Sequence, residues 1–541
     1  MRYTTWRLTA DSSCGKRPGG LLSTRRQKNR IRHDYPLETS TENVTATSLT
    51  VSAVSGFAWN SVGTVVLVAA QIASTMATAR LIAPTEFGAY AAAQAAIGLA
   101  GYFTISTIGL GILRRSELGP KTAGSAFTLS IGIGTLVLVA LWFLAVPWAD
   151  AWRIHSAIRL VRVLAFSLFF VSLANVPLAL LRRRLRFGVA ALVETATQVA
   201  GLAFSVLLAV FLHSAFALVI GQVIAAVTLF FWAVALVQRD ISIGYDRAEG
   251  RELFTYGSQL SALHLGTYVA NTLPSWVAGR SFGASTLGLY SRANITVNLP
   301  LTYLSASVTK VLFPLYGRVR NDARRTSALI SEAIVLATGF SWPLLAIGGG
   351  AASVAIDFLL GSRWHGATPF LQLCVLIACG ALPTELLTNA AEALGWIWLA
   401  TLRLIAFLVM LCIALAVKEL AGLGLSELLI GVAIAQWITY AITLSPFASR
   451  GIVDSRLLRR SHFVQVLVSI GAFGIALACA RVLAGVGIVV QVTAELMVTV
   501  AVCGVVLLGR SWYPASEIFW RRLGPEAIER WVPSRLRAFV S

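Results

Sequence analysis

The chain has 541 residues, of which 57% are hydrophobic, a further 44 are glycine and only 13% are charged. Soluble domains run at roughly 45–50% apolar and about 25% charged, so a soluble enzyme, a disordered scaffold and a collagen-like fibre are excluded and lipid must solvate most of the chain. The net charge of +20, which on a soluble protein points to nucleic acid, reads here as cations crowding cytoplasmic loops.

Residues 1–53 carry nine cations, from Arg2 to Arg32, ahead of a Ser/Thr-rich run, and read as a disordered basic cytoplasmic tail. No apolar core directly follows the early charges, which argues against a cleavable signal peptide. From residue 56, apolar runs of about 20 residues follow one another, the length that crosses ~30 Å of hydrocarbon as a helix. They predict spans at 56–78, 88–112, 122–146, 159–181, 188–212, 215–237, 256–279, 287–313, 328–350, 367–390, 396–418, 424–444, 462–484 and 486–509. Trp142, Trp148 and Trp152 bracket one outer edge and Trp364 and Trp396 flank the tenth span, as interfacial anchors do. After the last span, 514–537 reads as an interfacial helix, with Phe519, Trp520 and Trp531 among arginines.

Orientation follows the cations. With the N-terminus inside, cytoplasmic segments collect 33 of the 44 Lys and Arg residues, among them Arg182, Arg183, Arg184 and Arg186. The opposite loops hold scattered single residues such as Arg80, Arg153, Arg280, Arg363 and Lys418. The positive-inside rule then places both termini in the cytoplasm of a multi-pass inner (plasma) membrane protein.

Two outer turns match at an offset of 200 residues: Arg80, Phe87, Gly88 and Tyr90 against Arg280, Leu287, Gly288 and Tyr290. The arginine belongs at the interface, the glycine permits close backbone approach, and the tyrosine anchors the new helix at headgroup depth. Six spans separate the copies, so both run the same way through the membrane. The expected fold class is an all-α integral membrane protein with about 14 transmembrane helices. Two six-helix lobes related by a parallel repeat, 54–240 and 241–450, are followed by two extra helices at 451–510 and a cytoplasmic tail at 511–541.

The stretches ARLIAPTEFGAYA (79–91), GLGILRR (109–115) with AFTLS (126–130), LGLYSRANITVNLP (287–300), VLFPLYGRVRND (311–322) and FLLGSRWHGATPFLQLCVL (358–376) resemble the Wzx-type polysaccharide-biosynthesis flippases. These belong to the multidrug/oligosaccharidyl-lipid/polysaccharide exporter superfamily. The resemblance spans about 56–450 in the expected order. It implies transfer of undecaprenyl-pyrophosphate-linked oligosaccharide between leaflets by alternating access, for capsule, exopolysaccharide or O-antigen synthesis. The expected partners are that lipid-linked oligosaccharide, membrane lipids and the polysaccharide polymerase and export machinery, with no nucleic acid. Walker-type phosphate loops, H-E-x-x-H and Asp-x-Asp are absent, and the six cysteines have neither metal nor redox spacing, so no enzyme, metal or cofactor is expected.

Intramembrane polar residues are the site candidates. Glu385 and Arg403 lie nine residues either side of Leu394, about 13 Å inside the inner boundary. They read either as pyrophosphate attractor with a coupling carboxylate, or as an ion pair fixing helix register. Arg292, Asn294 and Asn298 on the eighth span and Asn271 on the seventh read as cavity candidates, although Arg292 is close enough to the outer edge to snorkel. Lys310 guides an anion or snorkels. Glu194, on one face with Gln198, is a second coupling candidate or an interhelical hydrogen-bonding group. Gln71, Gln94 and Gln222 complete the polar set of the first lobe, and Arg114 and Arg115 mark an inner gate or merely topology. Gathered arginines suit a pyrophosphate. The rivals are a multidrug/cation antiporter of the same superfamily and an integral-membrane polymerase or ligase, against which the short outer loops count.

Overall fold

The computed structural model describes residues 46–114, 120–184, 186–238, 244, 246–319, 322–509 and 512–523. The described residues from 52 onward build a helical bundle. The first half holds α1 (Ala46–Leu81), α2 (Pro84–Arg114), α3 (Pro120–Trp152), α4 (Ala157–Arg183), α5 (Phe187–Leu212) and α6 (Phe216–Val237). The second holds α7 (Arg247–Val319), α8 (Ala323–Gly350), the short α9 (Ala352–Leu359), a 3-10 turn (Ser362–Ala367), α10 (Thr368–Ala393), α11 (Ile397–Ala421) and α12 (Leu425–Ser449). Then come α13 (Ser455–Val482), α14 (Ile488–Leu508) and α15 (Pro514–Leu523).

Eleven of the helices are long and apolar enough to cross a membrane among the described residues. The other long rods are α2 and the two arms of α7, 247–282 and 284–319, which break at Gly283 with φ of 86°, a backbone that favours glycine. Each predicted span has its rod, including the two pairs with the shortest connections, at 213–215 and 483–487. Residues 46–53, read from sequence as the end of the tail, already belong to α1, and residues 1–45 lie outside the described residues.

The offset-200 repeat is a contact as well as a pattern. The start of α2 crosses the start of the second arm of α7 so closely that a Cβ on Gly88 would strike the Ala284 carbonyl oxygen. A Cβ on Gly288 would strike that of Pro84. Residues 84 and 88 thus exchange roles with 284 and 288, as a two-fold axis between the helices requires. The same exchange recurs nearby. Trp364 donates its indole N–H to the Ala79 carbonyl at 2.8 Å, while the Trp152 ring lies 3.0 Å from where a Cβ on Gly279 would stand. Arg80 donates to the Phe358 carbonyl at 3.0 Å, and Arg280 to that of Ala151 at 2.9 Å. At the far ends of the helices, Ser125 Oγ accepts from the Asp246 N–H and Ser331 Oγ from the Asp454 N–H, both at 2.8 Å.

Two expectations change here. Trp152 and Trp364 are buried at 1% and 0% exposure and plug the seam between the halves instead of sitting among headgroups. Tyr290 is 4% exposed and Tyr90 is hydrogen-bonded inside the protein, so neither anchors at the interface. The reason is shared: beside a second lobe, a ring next to a turn finds protein where sequence alone expects lipid.

Burial divides the molecule by depth. On the face of the two matched turns, the turn face, one cluster mixes both halves, with Ile82, Phe87 and Trp152 against Leu287, Tyr290 and Trp364. On the opposite, arginine-rich face the described buried side chains separate into two clusters. One is centred on Phe127, Leu181 and Leu229, the other on Tyr316, Leu387 and Phe447. Among the described residues, the core that the halves share runs from the turn face down to Ala100 and Val297, and Tyr268 donates to the Ala95 carbonyl at 2.9 Å.

The additional helices are fastened to the second half. Gln465 of α13 donates to the Val335 carbonyl and accepts from Thr338, both on α8. Arg521 and Arg522 of α15 grip the carboxylate of Glu332, the Tyr513 hydroxyl donates to the Gly339 carbonyl, and Trp520 donates to the Leu507 carbonyl. Of the segment expected to lie at the interface, 514–523 forms α15 and docks on α8, and residues 524–537 lie outside the described residues.

Ser125→Ala and Ser331→Ala should each cost about 1 kcal/mol, the net worth of one buried hydrogen bond. Similar falls in melting temperature for the two variants in detergent are expected from their equivalent positions. A loss confined to one would break the equivalence.

Candidate functional site

Arg292 stands about 12 Å along the second arm of α7 and is 8% exposed. It does not snorkel outward. Its guanidinium carbon lies 4.7 Å from the centroid of the Phe87 ring on α2. Its Nε is buried without a hydrogen-bond partner, and no ion pair to it occurs among the described residues. A cation in this position is costly, and the aromatic face offsets only part of the lost hydration. One turn further along α2, Tyr90 is within electrostatic reach of Arg292. Gln94 donates to the Tyr90 hydroxyl at 2.6 Å and to Gln222 Oε1 of α6 at 2.9 Å. Three neutral polar groups of the first half therefore gather beside the one buried arginine of the second among the described residues.

Below Arg292, one face of the same arm carries Asn294, Asn298, Thr302, Ser305 and Thr309 within about 80° of arc. Asn298 Nδ2 donates to Asn294 Oδ1 at 2.7 Å, and Thr309 Oγ1 accepts from Asn389 of α10 at 2.8 Å. Asn298 and Thr302 are exposed, as is Asn271 on the first arm. Exposed amides within apolar spans belong on a wet surface, because lipid offers them no partner.

Arg403 on α11 is half-buried, with its Nε unpartnered. It feels the charges of Glu385 and Glu392, but the expected contact pair with Glu385 does not form: Glu385 is exposed on α10, and no ion pair joins the two. Glu194 is engaged within the first half, where it accepts from Arg182. The side chains of Lys310 and Arg114, and Arg115 as a whole, lie outside the described residues.

Residues 77–369 match the family described as polysaccharide biosynthesis protein. The chain belongs to the polysaccharide biosynthesis protein family. Among curated relatives of this family, the lipopolysaccharide biosynthesis protein WzxC of Escherichia coli is 23% identical over 66% of this chain and 71% of its own length. The teichuronic acid biosynthesis protein TuaB of Bacillus subtilis is 23% identical over 61% and 69%. The succinoglycan biosynthesis transport protein ExoT of Rhizobium meliloti is 27% identical over 55% and 60%. In fold, the chain is similar to the lipid II flippase MurJ in an inward closed conformation, with a TM-score of 0.68 over 83% of this chain and 98% of that one at 12% identity. It is also similar to an inward-facing multidrug resistance MATE family transporter of the MOP superfamily, with a TM-score of 0.54 over 72% and 95% at 17% identity.

Several polar sites escape sequence reading. Phe87 and Arg292 meet across 205 positions, and no local spacing announces a contact between lobes. Tyr440, His462, Gln465 and Thr338 form a buried chain joining α12, α13 and α8. The His462 and Gln465 spacing, three apart on a helix, is its only sign in the sequence. A cavity of about 650 Å³ opens on the second half between α10 and α13, lined by apolar groups such as Trp342, Leu376 and Phe473, away from both arginines.

The Arg182–Glu194 pair is more than a third exposed, so Glu194→Gln should cost under about 1 kcal/mol and leave transport near the parent rate. A folded Glu194→Gln protein with no transport would instead make Glu194 a coupling carboxylate.

Proposed function

We propose that the chain is a flippase that carries a lipid-linked oligosaccharide with a pyrophosphate headgroup from the cytoplasmic to the outer leaflet. Two lobes, 54–240 and 241–450, rock around a cationic central cavity, and both termini stay in the cytoplasm. The carrying observation is Arg292, a buried guanidinium with no carboxylate partner at the sealed end of the space between the halves. A doubly charged phosphate ester supplies what it lacks, since its oxygens match the guanidinium fork. The polar stripe from Asn294 to Thr309 offers hydrogen-bonding groups to sugar hydroxyls, and Arg403 offers a second cation nearer the cytoplasmic edge. The single core at the turn face corresponds to a conformation closed outward. A cation antiporter is disfavoured by the same arginine, which would repel its substrate.

The test is reconstitution with a fluorescent polyprenyl-pyrophosphate-linked disaccharide, scored by dithionite quenching or lectin capture. Leaflet exchange well above protein-free vesicles supports the reading. Exchange equal to the blank, with efflux of a cationic dye, overturns it.

A further inference from the structure

Phe87 occupies an unusual position. It is 0% exposed, one face lies under the Arg292 guanidinium at 4.7 Å, and its ring meets that of Trp364 edge-on at 5.2 Å between centroids. Trp364 in turn donates to the Ala79 carbonyl at the end of α1. A single aromatic ring of the first half is thus held between two groups of the second, at the level where the halves share their core.

We propose that Phe87 is the element through which headgroup binding opens the turn face. Arg292 stacked on Phe87 helps hold the seam shut. An anionic headgroup arriving from the cytoplasmic side offers the same guanidinium charge-assisted hydrogen bonds, which outcompete a π-face. The two contacts draw on the same positive charge: once phosphate oxygens neutralise the guanidinium, the ring's attraction for it falls. Occupancy therefore loosens one of the two groups that clamp Phe87 and leaves Trp364 as the firmer contact on the seam. A ligand shifts an equilibrium only by its differential affinity for the two states, and the competition for one guanidinium supplies that difference. Phe87 is on this account a positioning residue that touches no substrate, and the inference rests on the reading of Arg292 as the headgroup's partner.

The experiment uses the full chain, freed of native cysteines, with Ile82→Cys as reporter. Ile82 is 0% exposed at the turn between α1 and α2. Labelling by a membrane-impermeant maleimide from the outer side is followed in proteoliposomes with and without farnesyl pyrophosphate, whose binding is measured separately by displacement of a fluorescent analogue. In the parent, farnesyl pyrophosphate should accelerate labelling about fivefold. Phe87→Leu and Phe87→Met keep apolar volume and remove the π-face, so one is available should the other fail to fold. Each should label about as fast without probe as the parent does with it, gain little on addition, and bind the probe as well as the parent or better.

Parent-like basal labelling and parent-like acceleration in both variants would overturn the role of Phe87 while leaving Arg292 as binding residue. Absence of acceleration in the parent, with binding intact, would overturn it equally. Unchanged probe binding in Arg292→Gln would instead overturn the headgroup site itself, and the two failures are distinguished because one is read by labelling and the other by displacement.

Discussion

Arg292→Gln should lower the rate of leaflet exchange at least a hundredfold while the protein melts no lower than its parent. Both halves of that expectation come from one feature. The guanidinium is buried with no carboxylate partner, so it contributes a desolvation cost to the resting fold, and a shorter neutral side chain relieves that cost. What is lost appears when the substrate binds: two charge-assisted hydrogen bonds worth about 1.5–3 kcal/mol each, hence roughly a factor of 100 or more. Arg292→Lys, which keeps the charge without the fork, should fall between. Exchange assays and melting curves on the same preparations check this. An active Arg292→Gln, or an inactive one that is also grossly destabilised, contradicts the assignment.

The second large effect is steric. Gly88→Ala and Gly288→Ala each place a Cβ against a carbonyl oxygen of the opposite half, at Ala284 and Pro84. Backbone cannot swing aside as a side chain would, so the two helices must part. A cost of about 1–3 kcal/mol is expected for each, the usual range of overpacking effects. The costs should be alike, because the contacts are equivalent. They should also fail to add in the double variant, because the separation that relieves one relieves the other. Melting temperatures of the two single variants and the double measure all three statements. A neutral substitution at either position would remove the crossing.

How much of this is legible in the sequence depends on what a membrane imposes on it. The fourteen rods are legible because lipid imposes a length and forbids unpaired backbone along the span. Gly88 and Gly288 are legible because a glycine beside a turn has few reasons to recur at a fixed offset. Arg292 is legible as a candidate, since cations inside spans are expensive. Its stacking partner is not, because Phe87 lies in the other half and phenylalanine is unremarkable in any span. Trp152 and Trp364 mislead for a related reason: lipid and protein interior are equally apolar, so composition cannot tell a ring that faces one from a ring that faces the other. The α9 segment, Ala352–Leu359, and the 3-10 turn after it are hidden in the same way. Eight residues next to a longer apolar run add nothing to a hydropathy profile, yet they carry Phe358 and Trp364 to α1.

The grip of Arg521 and Arg522 on Glu332, together with Gln465 on α8, means that α13, α14 and α15 ride with the second lobe as an outrigger. A spectroscopic label on the lipid-facing side of α14 would accordingly report the rotation of that lobe as a whole, and a truncation before Tyr513 would strip the Gly339 face of its cover and release the outrigger from its mooring.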